Sequence, residues 1–185
     1  MPGALPEPDK RDTPRDRLAR LAAHLGEAEA ARRCASLLAA ATPPQERDDQ
    51  ATLRYLGGPS GDAVLAGSPS WRPYWSRVWA ARGLLYVWHD EASAAVLDGL
   101  ADQAWRVAEM CLKVSALREL PAGDDAVRLT GHELPRVRAA AVRALGAAGD
   151  VEHVAAVEDA LTDEAEEVRR AAHRALEGMR SRLDL

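Results

Sequence analysis

The residues best suited to acid, base or metal chemistry are His89-Asp90-Glu91 and His132-Glu133, because imidazole beside carboxylate can hold iron or relay a proton. Neither group completes a metal-ligand spacing, and His24, His153 and His173 add no second His-Glu pair. Asp90, Asp98 and Asp102 stand near the tryptophans, where a base-excising enzyme would keep its acid. Helix caps and solvent-facing turns explain them with fewer assumptions. Ser60, Ser68 and Ser70 lack a nucleophile-elbow context. The run Gly57-Gly58-Pro59-Ser60-Gly61 has neither the lysine nor the strand of a phosphate loop and reads as a turn. Cys34 and Cys111 lie on apolar helical stripes, which makes them packing residues. No catalytic residue, metal or cofactor is expected.

Binding chemistry has more support. Three helices anchored on Val107, Val137 and Val168 carry a second stripe outside their packing positions: Arg106, Glu109, Lys113; then Arg136, Ala139, Arg143; then Glu167, Arg170, Arg174. Six positive charges face two negative ones there, whereas acidity gathers at Asp150, Glu152, Glu158, Asp159, Asp163, Glu164 and Glu166. Guanidinium groups on such a ridge can engage carboxylates or phosphates, although a solvated face with local Arg-Glu pairing is the plainer explanation. All five tryptophans fall between residues 71 and 105, with Trp71, Trp75 and Trp79 at four-residue intervals. Val78, Ala81, Leu85 and Trp88 would pack one side of their helix, leaving Trp75 and Trp79 to form an anchor with Tyr86, beside Arg72, Arg77 and Arg82. The alternative is that these rings fill a wide junction between the divergent N-terminal part and the narrow alanine-rich repeats.

The elements that must position these residues are helical. The 185 residues are 47% hydrophobic and 29% charged, enough for a core; 38 alanines, 4% aromatic residues and no Phe favour close helix packing over a β-sandwich. A net charge of -5 argues against bulk attraction to nucleic acid or anionic lipid. No apolar run approaches a bilayer span and the start MPGALPEPDKRD lacks a signal-peptide core, so a cytoplasmic location is expected, without membrane contact. Two distant cysteines give no disulfide scaffold.

Residues 1–14, with four prolines, read as a flexible lead-in, 15–182 as a single domain and 183–185 as a tail. Helices are predicted from Arg15 to a stop at Gly26, from Ala30 to Ala41 before Thr42-Pro43-Pro44, and from Glu46 to Leu56. A short helix follows near the glycines, and Ser70 would cap the next, with Pro73 in its first turn. Beyond that point the valine anchors recur at intervals of 30 and 31, with Val78 a further 29 residues earlier. Their inward sets are Val107, Met110, Cys111, Val114; then Val137, Ala140, Ala141, Ala144, Leu145; then Val168, Ala171, Ala172, Ala175, Leu176. Intervening patterns at Ala94, Val96, Leu97, Leu100 and at Val151, Val154, Val157, Ala160, Leu161 complete helix pairs. Asp150 and Asp163 serve as caps, and Thr130-Gly131 shortens the segment 124–133. Pairs this thin cannot bury their stripes alone, so an all-α, right-handed superhelical solenoid of antiparallel helix pairs is expected.

The segments PRVRAAAVRALGAAGD (135–150), EVRRAAHRALEGM (167–179) and AWRVAEMCLKVSALREL (104–120) resemble HEAT repeats, most of all the short bacterial repeats also found in bilin lyases. The resemblance spans about 71–182 and implies a surface that holds proteins or nucleic acids. Related hydroxylases and DNA glycosylases show that the fold can acquire chemistry, but only His132-Glu133 matches the hydroxylase pattern, and no glycosylase acid or cofactor-handling motif transfers. The sequence therefore points to a non-catalytic protein-binding adaptor, with Trp71, Trp75, Trp79, Arg82, Tyr86, Arg106, Lys113, Arg136, Arg143, Arg170 and Arg174 as its contact residues. Its expected partner is a protein with an acidic or mixed apolar-acidic surface, or a second copy of the chain. Nucleic-acid binding or base excision is the alternative.

Overall fold

The computed structural model describes Leu5, Glu7, Asp9, 11–42 and 44–184. Much of the expected lead-in, Pro43 of the expected stop and Leu185 lie outside the described residues. Every regular element among the described residues is helical, and the chain divides into two compact units, 1–99 and 100–185.

In the first unit, α1 (Pro14–Leu25) starts where Thr13 and Asp16 cap each other: Thr13 Oγ1 accepts from the Asp16 N–H, and Asp16 Oδ2 accepts from the Thr13 N–H. It buries Leu18 and Leu21 and ends at Gly26. Helix α2 (Glu27–Ala39) buries Ala30, Ala31, Cys34, Leu37 and Leu38, stopping two residues short of Ala41. Helices α3 (Arg47–Gly57) and α4 (Pro59–Leu65) flank a two-glycine turn. The next helix differs from expectation: α5 (Trp75–Gly83) begins after Pro73, whose carbonyl accepts from the Ser76 hydroxyl at 2.9 Å, and Ser70 caps nothing. Leu85 and Trp88 consequently lie beyond it. Helix α6 (Ser93–Asp98) is a short segment between 3-10 turns at Asp90–Ala92 and Gly99–Ala101.

The second unit contains α7 (Trp105–Arg118), α8 (Gly123–Thr130), α9 (Pro135–Ala148), α10 (Val154–Asp159) and α11 (Glu166–Leu183). Val107, Val137 and Val168 are at most 1% exposed, so the anchors seat in the core as the repeat spacing requires. Helix α9 packs on α7, α8 and α11. At its closest approach to α11, a Cβ on Gly146 would stand 2.6 Å from that of Ala175, so glycine lets the two backbones meet. The intervening helices are short: α8 spans eight residues, and α10 has 3-10 turns on both sides, the first capped by Asp150. Val151, assigned by pattern to the apolar face, is exposed because it sits in that leading turn. The described part of the terminal tail is one helical residue, Leu183, and the left-handed Asp184.

Both cysteines are buried, and desolvation pushes each thiol up to about 12. No helix among the described residues is long and apolar enough to cross a membrane.

Candidate functional site

The second unit repeats a specific way of starting its inner helices. Asp102 Oδ1 accepts from the Ala104 N–H at 2.8 Å, His132 Nδ1 from Leu134 at 3.0 Å, and Asp163 Oδ1 from Ala165 at 2.8 Å. Each acceptor stands five residues before its valine anchor. One residue after the anchor, Arg138 donates to the His132 and Glu133 carbonyls, and Arg169 does the same to Asp163 and Glu164. Arg138 also reaches forward into the next repeat, where Nε and Nη2 grip the two Asp163 oxygens at 2.7 and 2.8 Å. Both side chains are almost wholly buried. The fork holds the Asp163 carboxyl below its ordinary range and raises the Arg138 value, chiefly through these hydrogen bonds.

The outward positions only partly match the stripe expected from spacing. Glu109, expected outside, is 5% exposed and Ala139 is fully buried, while Met110, expected inside, is only half-buried. Helix α9 has neighbours on several sides, which encloses Ala139. Glu109 turns inward because one of its oxygens accepts from Lys113 Nζ at 2.8 Å and from Arg136 Nη2 at 3.0 Å. Arg136 also lies 5.0 Å from the Trp105 ring centre, and Arg106 lies 4.1 Å from it, so one indole is flanked by two guanidinium groups. Repeat register places Lys113, Arg143 and Arg174 in one row across α7, α9 and α11. Arg143 and Arg174 are exposed and make no ion pair among the described residues, whereas Arg170 approaches Glu166 at 3.6 Å.

The tryptophan group belongs to the first unit. Trp71 precedes α5, yet its ring centre lies 5.5 Å from those of Trp75 and Trp79, which are 6.0 Å apart; Tyr74 joins at 5.7 Å from Trp75. Trp79 is buried, Trp71 and Trp75 are half-buried, and Tyr86 is exposed. The rings meet edge-on or tilted, with Trp79 in the core. Arg82 is half-buried and reaches the Leu56 carbonyl.

Two of the candidate acids make local hydrogen bonds. Asp90 accepts from the Trp88 indole N–H at 3.0 Å, and Asp102 is spent on its turn. No group of three or more His, Cys, Asp or Glu among the described residues is placed to hold a metal.

Residues 126–184 match the HEAT-repeat family model. This part of the chain is similar to HEAT repeats. The crystal structure of an engineered protein from the Northeast Structural Genomics Consortium shares the helical fold, with a TM-score of 0.50 and 20% identity over 91% of this chain and 79% of that one. No curated protein matches. The matched stretch contains the Arg138–Asp163 fork and the exposed Arg143 and Arg174. Trp105, which spacing left out of the contact set, is the aromatic residue of the outward cluster. Its signal was its place immediately before Arg106 at the head of an anchored helix.

Proposed function

We propose that the chain is a non-catalytic protein-binding scaffold whose HEAT unit presents Lys113, Arg143 and Arg174 to an acidic stretch of a partner. HEAT repeats generally serve as protein-interaction scaffolds, which supports the class of function. The observation that carries the reading is the pair Arg143 and Arg174: exposed, one repeat apart, and without a counter-ion among the described residues. Their forks can take carboxylates bidentately with little loss of other contacts. Trp105, with the Arg106 and Arg136 guanidinium groups near its ring, offers an apolar surface beside these cations. A partner with mixed apolar and acidic character fits that combination, and a second copy of this acidic chain is the alternative occupant.

Affinity capture from native extract tests this. The intact protein is expected to retain a stoichiometric partner that R143E/R174E loses while keeping its helical content and melting temperature. Equal capture by both proteins would refute the assignment. Loss of the captured species on nuclease treatment would favour the nucleic-acid alternative.

A further inference from the structure

Repetition lets one arginine show what its counterpart is shaped to hold. One residue after the valine anchor, α9 carries Arg138 and α11 carries Arg169. Both spend the same nitrogen in the same way. Nη1 of Arg138 donates to the His132 and Glu133 carbonyls at 3.0 and 3.1 Å, and Nη1 of Arg169 donates to the Asp163 and Glu164 carbonyls at 2.6 and 2.8 Å. Two bonds to backbone oxygens orient each guanidinium before anything else arrives, which lowers the entropic cost of a further contact. The remaining edge, Nε with Nη2, is where the two differ. On Arg138 it closes on both Asp163 oxygens. On Arg169 it has no hydrogen-bond or ion-pair partner among the described residues.

The carboxylates nearest in sequence are engaged elsewhere. Asp163 is gripped by Arg138, Glu164 Oε1 lies 3.4 Å from Arg138 Nη2, and Glu166 approaches Arg170 at 3.6 Å. Glu167 stands two positions before Arg169, a spacing that puts the two side chains on different sides of a helix. The surrounding surface selects the kind of occupant. On α9 the positions in register with His173 and Glu177 are Val142, which is buried, and Gly146, which meets Ala175 of the next inner helix. On α11 both positions are polar and exposed. Packing another alanine-rich helix there would bury an imidazole and a carboxylate, so this side suits a polar partner that brings its own anion.

We propose that the open edge of Arg169 binds an aspartate of a separate protein, presented from a turn as Asp163 is presented to Arg138. Asp163 supplies the template: both its oxygens accept from Arg138, and Oδ1 also accepts from the Ala165 N–H two residues on, which fixes the direction of the carboxylate. A guanidinium edge and a carboxylate so held match bidentately. The contact is distinct from the Arg143 and Arg174 row and does not rest on it.

The probe is the peptide N-acetyl-Asp-Gln-Ala amide, titrated into the full chain at constant ionic strength while the arginine Nε–H resonances are followed by NMR. The Arg169 signal is expected to move downfield and saturate, with a Kd of about 10 mM or tighter, while that of Arg138, already hydrogen-bonded, stays in place. The asparagine counterpart of the peptide should leave Arg169 unmoved. R169K keeps the charge and loses the fork, and should weaken binding about fivefold or more; if that variant fails to fold, the two peptides on the parent protein still decide. R143E/R174E should bind as the parent does. An unmoved Arg169 signal, equal binding of the asparagine peptide, or equal binding by a folded R169K would overturn the proposal. Loss of binding in R143E/R174E would overturn it too, while leaving that row as a contact for an acidic partner.

Discussion

The two units solve the same packing problem with different materials. The second joins its helices through valine anchors, alanines and a backbone approach at Gly146, and secures successive repeats with the Arg138–Asp163 fork. The first packs a cluster of tryptophans against a glycine turn. Small, repeated contacts give a regular surface with charged side chains directed outward.

This contrast can be broken most severely at Trp79. A Cβ on the neighbouring Gly57 would collide with its ring, so the ring and the bare turn are matched. W79A should lower stability by about 3–5 kcal/mol in chemical denaturation, the cost of emptying an indole-sized core position. The ion-pair fork comes next. D163N should cost about 2 kcal/mol at neutral pH, less than for a fully enclosed pair because both side chains keep some water contact. The Asp163 value is depressed below 3.8 by the Arg138 hydrogen bonds first of all. Its stabilisation is therefore complete above that value and lost as pH falls through the folded one. Denaturation curves of D163N and the parent should stay apart down to about pH 4 and converge only as pH falls further, through the depressed folded value.

G146A tests the backbone contact. Its added methyl would press on Ala175 and should cost about 1–2 kcal/mol, measured by thermal denaturation. The smallest stability effect belongs to R143E/R174E, within about 0.5 kcal/mol of the parent, with partner capture abolished. A large stability loss in that variant would mean the exposed row has a packing role and would remove its claim to be a binding face.

Much of the repeat architecture was legible because alanine and valine at a period near 30 residues encode close helix stacking directly. Side-chain direction was less so. Spacing put Glu109 outside and Met110 inside, since a single-helix stripe takes no account of donors arriving from the next repeat; Lys113 and Arg136 together make burial of that carboxylate favourable. Asp163 was readable as a turn acceptor, but its grip on Arg138 depends on superposing residues 25 apart in sequence. The four-residue tryptophan spacing suggested one continuous helix face, whereas Trp71 reaches its neighbours from a bend, because α5 starts only after Pro73.

Burial of Cys34 and Cys111 has a practical corollary. With both sulfurs enclosed and held as thiols, the native chain should offer alkylating reagents almost no background. A single engineered cysteine at Arg143 would then carry a fluorophore or spin label by itself, and the molecule would report contact with its partner without first being stripped of its own sulfur.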